Sequence, residues 1–184
     1  MPLEIERRFL VSGQAWRSRV RWQARLRQGY LVRSSDGLTL RVRLSQPEAT
    51  GGPSSCGASE LLPQGWLTLK LPPPQEADPI ARLEFEYPIP LGDAEALLAL
   101  TDRQVAKRRY GLDLPGGDWV LDVFEGANAP LVLAEVELPC ADHPLRLPPW
   151  CVRELSGRHE LSNAALAERP LELWSETERR ELLG

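Results

Sequence analysis

Arg82-Leu83-Glu84-Phe85-Glu86-Tyr87 alternates charged and apolar residues at every step, and this alternation decides the fold. Successive side chains on a strand point to opposite faces, so Leu83, Phe85 and Tyr87 share one face and Arg82, Glu84 and Glu86 the other. The same period recurs upstream: Leu3 and Ile5 against Glu4, Glu6 and Arg8; Leu40, Val42 and Leu44 against Thr39, Arg41 and Arg43; Leu67, Leu69 and Leu71 against Trp66, Thr68 and Lys70. It returns downstream in Val120 to Phe124 and in Val132 to Leu138. Ser34-Ser35-Asp36-Gly37 reads as a hairpin turn. Gln46 to Gly65 reads as a long flexible loop, and Pro72 to Pro79 and Asp113 to Asp118 as two more. Helical patterns are fewer. Asp93 to Asp102 is expected to be helical with Asp93 as its cap, Ser162 to Glu168 to form a short helix, and 171 to 183 a C-terminal one. Gln14 to Arg27, with five arginines and two tryptophans, reads as a basic helix or loop. The expected class is α+β: one antiparallel sheet, closed on itself, with peripheral helices.

The chain has 184 residues, enough for about one domain, which is expected to span 1–184. Hydrophobic residues make up 42% and charged residues 26%, which argues against disorder, collagen and coiled coil. Lys+Arg 22 against Asp+Glu 26 leaves a net charge of −4, so no nucleic-acid or anionic-membrane partner is expected. The 3 cysteines, Cys56, Cys140 and Cys151, show no CxxC spacing, and a reducing cytoplasm suits them better than a disulfide framework. His143 and His159 lie outside any metal-ligand spacing, and no GxSxG or P-loop pattern occurs.

The polar strand face carries most of the information. It holds same-sign charges two residues apart: Glu4/Glu6, Glu84/Glu86, Glu135/Glu137, Arg41/Arg43 and Lys107/Arg109. Such neighbours sit about 6.5 Å apart on one face. At an effective dielectric near 20 each pair costs ~2.5 kcal/mol, and in bulk water well under ~1 kcal/mol. Two arrangements meet this cost: a wet outer face, or a common cavity in which unlike charges oppose each other. Seven acids (Glu4, Glu6, Glu84, Glu86, Asp122, Glu135, Glu137) balance seven bases (Arg8, Arg41, Arg43, Lys70, Arg82, Lys107, Arg109) on that face. Arginine forks recognise phosphate oxygens, and clustered carboxylates hold Mg²⁺ or Mn²⁺. A site with both suits a metal-chelated polyphosphate.

Ordered along the chain, Glu4-Ile5-Glu6-Arg7-Arg8, Gln28-Gly29-Tyr30-Leu31, Leu40-Arg41-Val42-Arg43, Leu67-Thr68-Leu69-Lys70, Arg82-Leu83-Glu84-Phe85-Glu86, Lys107-Arg108-Arg109-Tyr110, Leu121-Asp122-Val123-Phe124-Glu125-Gly126 and Ala134-Glu135-Val136-Glu137 resemble the CYTH family, the triphosphate tunnel metalloenzymes. The set is most similar to the bacterial short-chain inorganic triphosphatases. The resemblance implies an eight-stranded antiparallel β-barrel tunnel over about 3–168, a C-terminal helix at about 171–183, and metal-dependent hydrolysis of a small triphosphate. Thiamine triphosphatase, adenylate cyclase and a non-catalytic polyphosphate- or nucleotide-binding protein are the alternatives. It implies Glu4, Glu6, Glu86, Asp122, Glu135 and Glu137 for the metal, and Arg8, Arg41, Arg43, Lys70, Arg82, Lys107 and Arg109 for the phosphates. Arg8, Tyr30, Glu135 and Glu137 are implied at the reacting centre. A homodimer would cover outward apolar alternates. Two departures stand out. The signature lysine is Arg8, and the C-terminal motif Asp-x-Arg-Tyr-x-Asn reads Arg158-His159-Glu160-Leu161-Ser162-Asn163.

Overall fold

The computed structural model describes residues 3–49, 62–72 and 81–184. Nine antiparallel strands run β1 (Leu3–Val11), β2 (Val20–Arg33), β3 (Thr39–Glu48), β4 (Gln64–Leu71), β5 (Ala81–Ile89), β6 (Gln104–Leu112), β7 (Asp118–Phe124), β8 (Val132–Glu137) and β9 (Cys151–Glu154). Their order is β5-β4-β3-β2-β6-β7-β8-β1-β9, and a further β5–β1 pairing closes the first eight into a barrel. The closing seam is short: Leu3, Ile5 and Glu4 face Leu83, Ala81 and Arg82. β1 spends the rest of that edge on β9, through Phe9, Leu10 and Val11. Closure satisfies strand edges that an open sheet would expose.

Parts of the outer apolar face have a cover, although Trp22 and Tyr87 are exposed. Outside β1, β6, β7 and β8, Phe9, Tyr110, Trp119, Leu121 and Val136 pack with Trp16 and Trp150. Outside β3, the helix α1 (Leu91–Leu98) seats Ala94 and Leu98 on Val42. This approach needs glycine in the sheet: a Cβ at Gly65 would lie 2.7 Å from Ala94 Cβ, and one at Gly29 2.7 Å from Leu98. Inside, Leu10, Val105, Phe124 and Leu133 meet Leu161, Ala164 and Leu166 from α2 (Asn163–Glu168) and its approach. These apolar residues stop one end of the barrel.

Several local expectations change. The Gln14–Arg27 stretch is not a helix: a short 3-10 turn at Ala15–Arg19 leads into the 14-residue β2. Its alternate residues Ala24, Leu26, Gln28 and Tyr30 are buried in the barrel, and the exposed arginines lie between them. Asp93 falls in the first turn of α1, whose cap position is Pro90. Ser162 does cap α2, accepting from Ala165 N at 3.2 Å. The C-terminal helix is shorter than expected. A 3-10 turn at Leu171–Leu173 precedes α3 (Glu176–Leu183), which starts at a capping box of Ser175 and Glu178. β3 reaches Glu48 and β4 starts at Gln64, so both ends of Gln46–Gly65 are strand; 50–61 and 73–80 lie outside the described residues.

Candidate active site

The barrel encloses a cavity of about 790 Å³. Its lining includes seven acids, Glu4, Glu6, Asp36, Asp118, Glu135, Glu137 and Glu168, and seven bases, Arg8, Arg33, Arg41, Arg43, Lys70, Arg82 and Arg109. The common interior, not the wet outer face, therefore receives the alternate charges. The two signs are also segregated. Glu4, Glu6, Glu135, Glu137 and Asp118 come from β1, β8 and β7; Arg41, Arg43, Lys70 and Arg82 come from β3, β4 and β5.

Register explains the acidic wall. Glu6 sits opposite Glu137, which in turn sits opposite Asp118. Burial first, then Glu135 and Glu4, push the Glu6 carboxyl up, with Arg8 opposing. Glu137 is raised by burial and by Glu4, Asp118 and Glu6. Glu4 is raised by burial and its contact with Glu84, although Lys70 Nζ lies 2.7 Å away. Glu135 behaves oppositely. Burial favours its neutral form, but Arg8 and Arg109 outweigh that and hold it far below the usual carboxylate range. Arg8 Nε donates to its Oε1 at 3.1 Å and Arg109 NH2 to its Oε2 at 2.8 Å.

The basic wall offers spare donors. Arg41 NH2 donates to the Thr68 hydroxyl (2.9 Å) and Glu86 (3.1 Å), and Thr68 donates to Glu86 at 2.7 Å. Among the described residues the buried Nε–H groups of Arg41 and Arg43 have no acceptor. Unpartnered buried donors are costly, and an anion in the cavity would satisfy them. Burial first, then Arg41 and Arg109, bring the Arg43 pKa down to about 10. A polyanion beside it would reverse that pressure.

Three residues expected at the site lie outside the cavity lining. Lys107 and Asp122 are 0% and 1% exposed and form a 2.5 Å pair, with Lys107 also donating to Asn163 Oδ1 at 2.9 Å. Burial lowers the Lys107 pKa to about 8 against the pull of Asp122. Asp122 also takes both Arg109 donors, at 2.8 and 2.7 Å, and so orients Arg109. Glu86 likewise serves Arg41 and Thr68. Tyr30 does line the cavity and is 5% exposed. Sequence reasoning missed Asp118, which lay in an expected loop, and Arg33, Asp36 and Glu168, which the β2–β3 hairpin and α2 bring to the mouth. His159 is also at the mouth, and Arg158 pairs with Glu160 at 2.7 Å in place of the motif's usual order.

Carboxylate oxygens of Glu4, Glu6 and Glu137, crowded and raised in pKa, are the donor type a hard divalent cation takes, so the residues fit such an ion by chemistry. Among the described residues no three such side chains are already gathered in ligand geometry. Lys70 and Arg8 hold Glu4 and Glu6 instead.

Comparison with known proteins agrees with this geometry. The CYTH domain model matches residues 2–169. The chain is 33% identical over 178 residues to an inorganic triphosphatase of Acetivibrio thermocellus, covering 96% of this chain and 100% of the relative. It is 33% identical to an inorganic triphosphatase of Nitrosomonas europaea, covering 89% and 96%. A crystal structure of an inorganic triphosphatase superposes with a TM-score of 0.57 at 32% identity, covering 89% of this chain and 93% of that one. With the charged barrel interior, the matched domain and these relatives together, the chain belongs to the CYTH family.

Proposed function

We propose that this protein hydrolyses inorganic triphosphate, with a divalent cation, inside the barrel cavity. One observation carries the reading. A single cavity sets unpartnered buried guanidinium donors on β3 across from a crowded carboxylate wall on β1 and β8. That pairing of surfaces suits a polyphosphate that carries its own cation. The relatives named inorganic triphosphatase support the substrate class. Tyr30, 5% exposed, and His159 are the only aromatic rings lining the cavity among the described residues, so little ring surface is offered to a nucleobase or thiazolium.

Glu4, Glu6 and Glu137 would hold the cation, which would neutralise phosphate charge and acidify water. Arg41, Arg43, Lys70, Arg82 and Arg109 hold the phosphate oxygens and stabilise charge on the leaving group. Water oxygen attacks the terminal phosphorus, the bridging P–O bond breaks, pyrophosphate departs, and a Glu137 carboxylate oxygen takes the proton. Glu135, held ionised, fixes Arg8 and Arg109 instead. Tyr30 borders the phosphate path, and Lys107, Asp122 and Glu86 orient the residues that line it.

The free thiols of Cys140 and Cys151 suit the cytoplasm. No described helix is long and apolar enough to cross a membrane. The test is phosphate release from tripolyphosphate, ATP and thiamine triphosphate, each with Mg²⁺, Mn²⁺ or neither. Cation-dependent release from tripolyphosphate above the other two is expected. Binding without release would leave a polyphosphate-binding protein, and full activity in Glu137→Gln would remove the assigned base.

A further inference from the structure

Arg8 does more than face the acidic wall. Its Nε and NH2 donate to Glu135 (3.1 Å) and Glu6 (2.8 Å), and its NH1 turns away to the Leu161 carbonyl at 3.2 Å. The backbone at Arg8 grips the same segment: its N–H donates to Ser156 Oγ at 3.0 Å and its carbonyl accepts from Leu155 N at 2.8 Å. Lys107 adds a second attachment through Asn163. The segment from Leu155 to Glu168 thus lies against the barrel with Ser162, Asn163 and Ala164 bordering the cavity.

The bond count matters. A guanidinium presents five donors in a fixed plane and can serve three separate acceptors, while an ammonium acts as a compact point charge. Arg8 is buried, and all three of its nitrogens serve protein acceptors. Arg41 and Arg43, by contrast, keep free Nε donors. Donor supply for an incoming anion therefore includes the Nε–H groups of β3, whereas Arg8 spends three of its five donors on the protein, one from each nitrogen.

We propose that Arg8 is a positioning residue that ties the Leu155–Glu168 segment to Glu6 and Glu135. It replaces the family lysine with a three-way tether. The inference rests on the triphosphatase reading only for the kinetic arm of its test.

The experiment is amide hydrogen exchange read by mass spectrometry on the cation- and phosphate-free full chain, comparing wild type, Arg8→Lys and Asn163→Ala. Arg8→Lys keeps the charge but loses the fork. Its 157–168 peptides should exchange about 10-fold faster, while β3 and β4 peptides stay unchanged. Asn163→Ala, which cuts the second attachment, should speed exchange in the same peptides by less. Unchanged exchange at 157–168 in Arg8→Lys overturns the tether. Should Arg8→Lys lose β3 and β4 protection as well, the tether stands only if 157–168 speeds up more than they do; equal acceleration overturns it. With tripolyphosphate, Arg8→Lys should lower kcat more than it raises KM, because it disturbs the carboxylates and leaves β3 intact. A raised KM with unchanged exchange would make Arg8 a direct phosphate contact. An inactive wild type whose variants still loosen 157–168 would sink the triphosphatase reading and leave the tether standing.

Discussion

Glu135→Gln should lower stability sharply and Glu6→Gln should not lower it, although both residues belong to the acidic wall. Glu135 joins two buried guanidiniums, Arg8 at 3.1 Å and Arg109 at 2.8 Å. Removing one partner of such a buried pair costs about 3–5 kcal/mol, because the cations left behind are uncompensated. At roughly 2–4 °C per kcal/mol for a chain of this size, Tm should fall by about 10 °C. The Glu135 pKa is depressed in the folded state, so its contribution is present above the ordinary carboxylate value and lost only as pH falls through the folded value. At pH 7.5 the full loss is therefore visible. Glu6 is the reverse. Its folded-state pKa is raised, so its contribution is favourable below the ordinary value and is lost as pH rises through the folded one. At pH 7.5 Glu6→Gln should leave Tm unchanged or raise it, because the amide oxygen still accepts from Arg8 and the repulsion is gone. At pH 4 the Glu6→Gln difference should shrink toward zero. Thermal melts followed by tryptophan fluorescence, with 6 tryptophans available, read both. A Tm drop under ~2 °C for Glu135→Gln, or equal drops for both variants, would refute the charge assignment.

Three further outcomes are expected. Mg²⁺ or Mn²⁺ should raise Tm more at pH 8 than at pH 5, since Glu4, Glu6 and Glu137 ionise later than ordinary carboxylates; equal shifts at both pH values would place the cation elsewhere. Thr68→Val, nearly isosteric, removes a hydroxyl bonded to both Arg41 and Glu86 and should cost ~1–3 kcal/mol while raising KM for tripolyphosphate. Unchanged KM would show that Arg41 does not need this support. Gly65→Ala should destabilise by roughly 1–3 kcal/mol through α1 displacement, because the new methyl meets Ala94 Cβ at 2.7 Å and Ile89 O at 3.0 Å, with kcat and KM preserved.

The sequence by itself determined the strands and their two faces. Period-two alternation places Glu4, Glu6 and Arg8 together, and Arg41 with Arg43, because strand geometry leaves each side chain no third direction. Like charges two apart left two arrangements open, a wet outer face or an opposing wall, and the barrel supplies the wall. Only the tertiary structure decided the rest. β2 hides its period, because its inward residues include a small alanine and a polar glutamine, and its outward arginines dominate the pattern. Lys107 and Asp122 share the alternation of the cavity residues, yet they are removed from its lining. Asn163, 56 residues from Lys107, holds the lysine where α2 meets the barrel. Glu168 enters the lining from α2, and Asp118 because β7 starts two residues before the alternation read from Val120. A side chain's face follows from its neighbours in the chain, but its depth in the barrel depends on what distant segments stop each end.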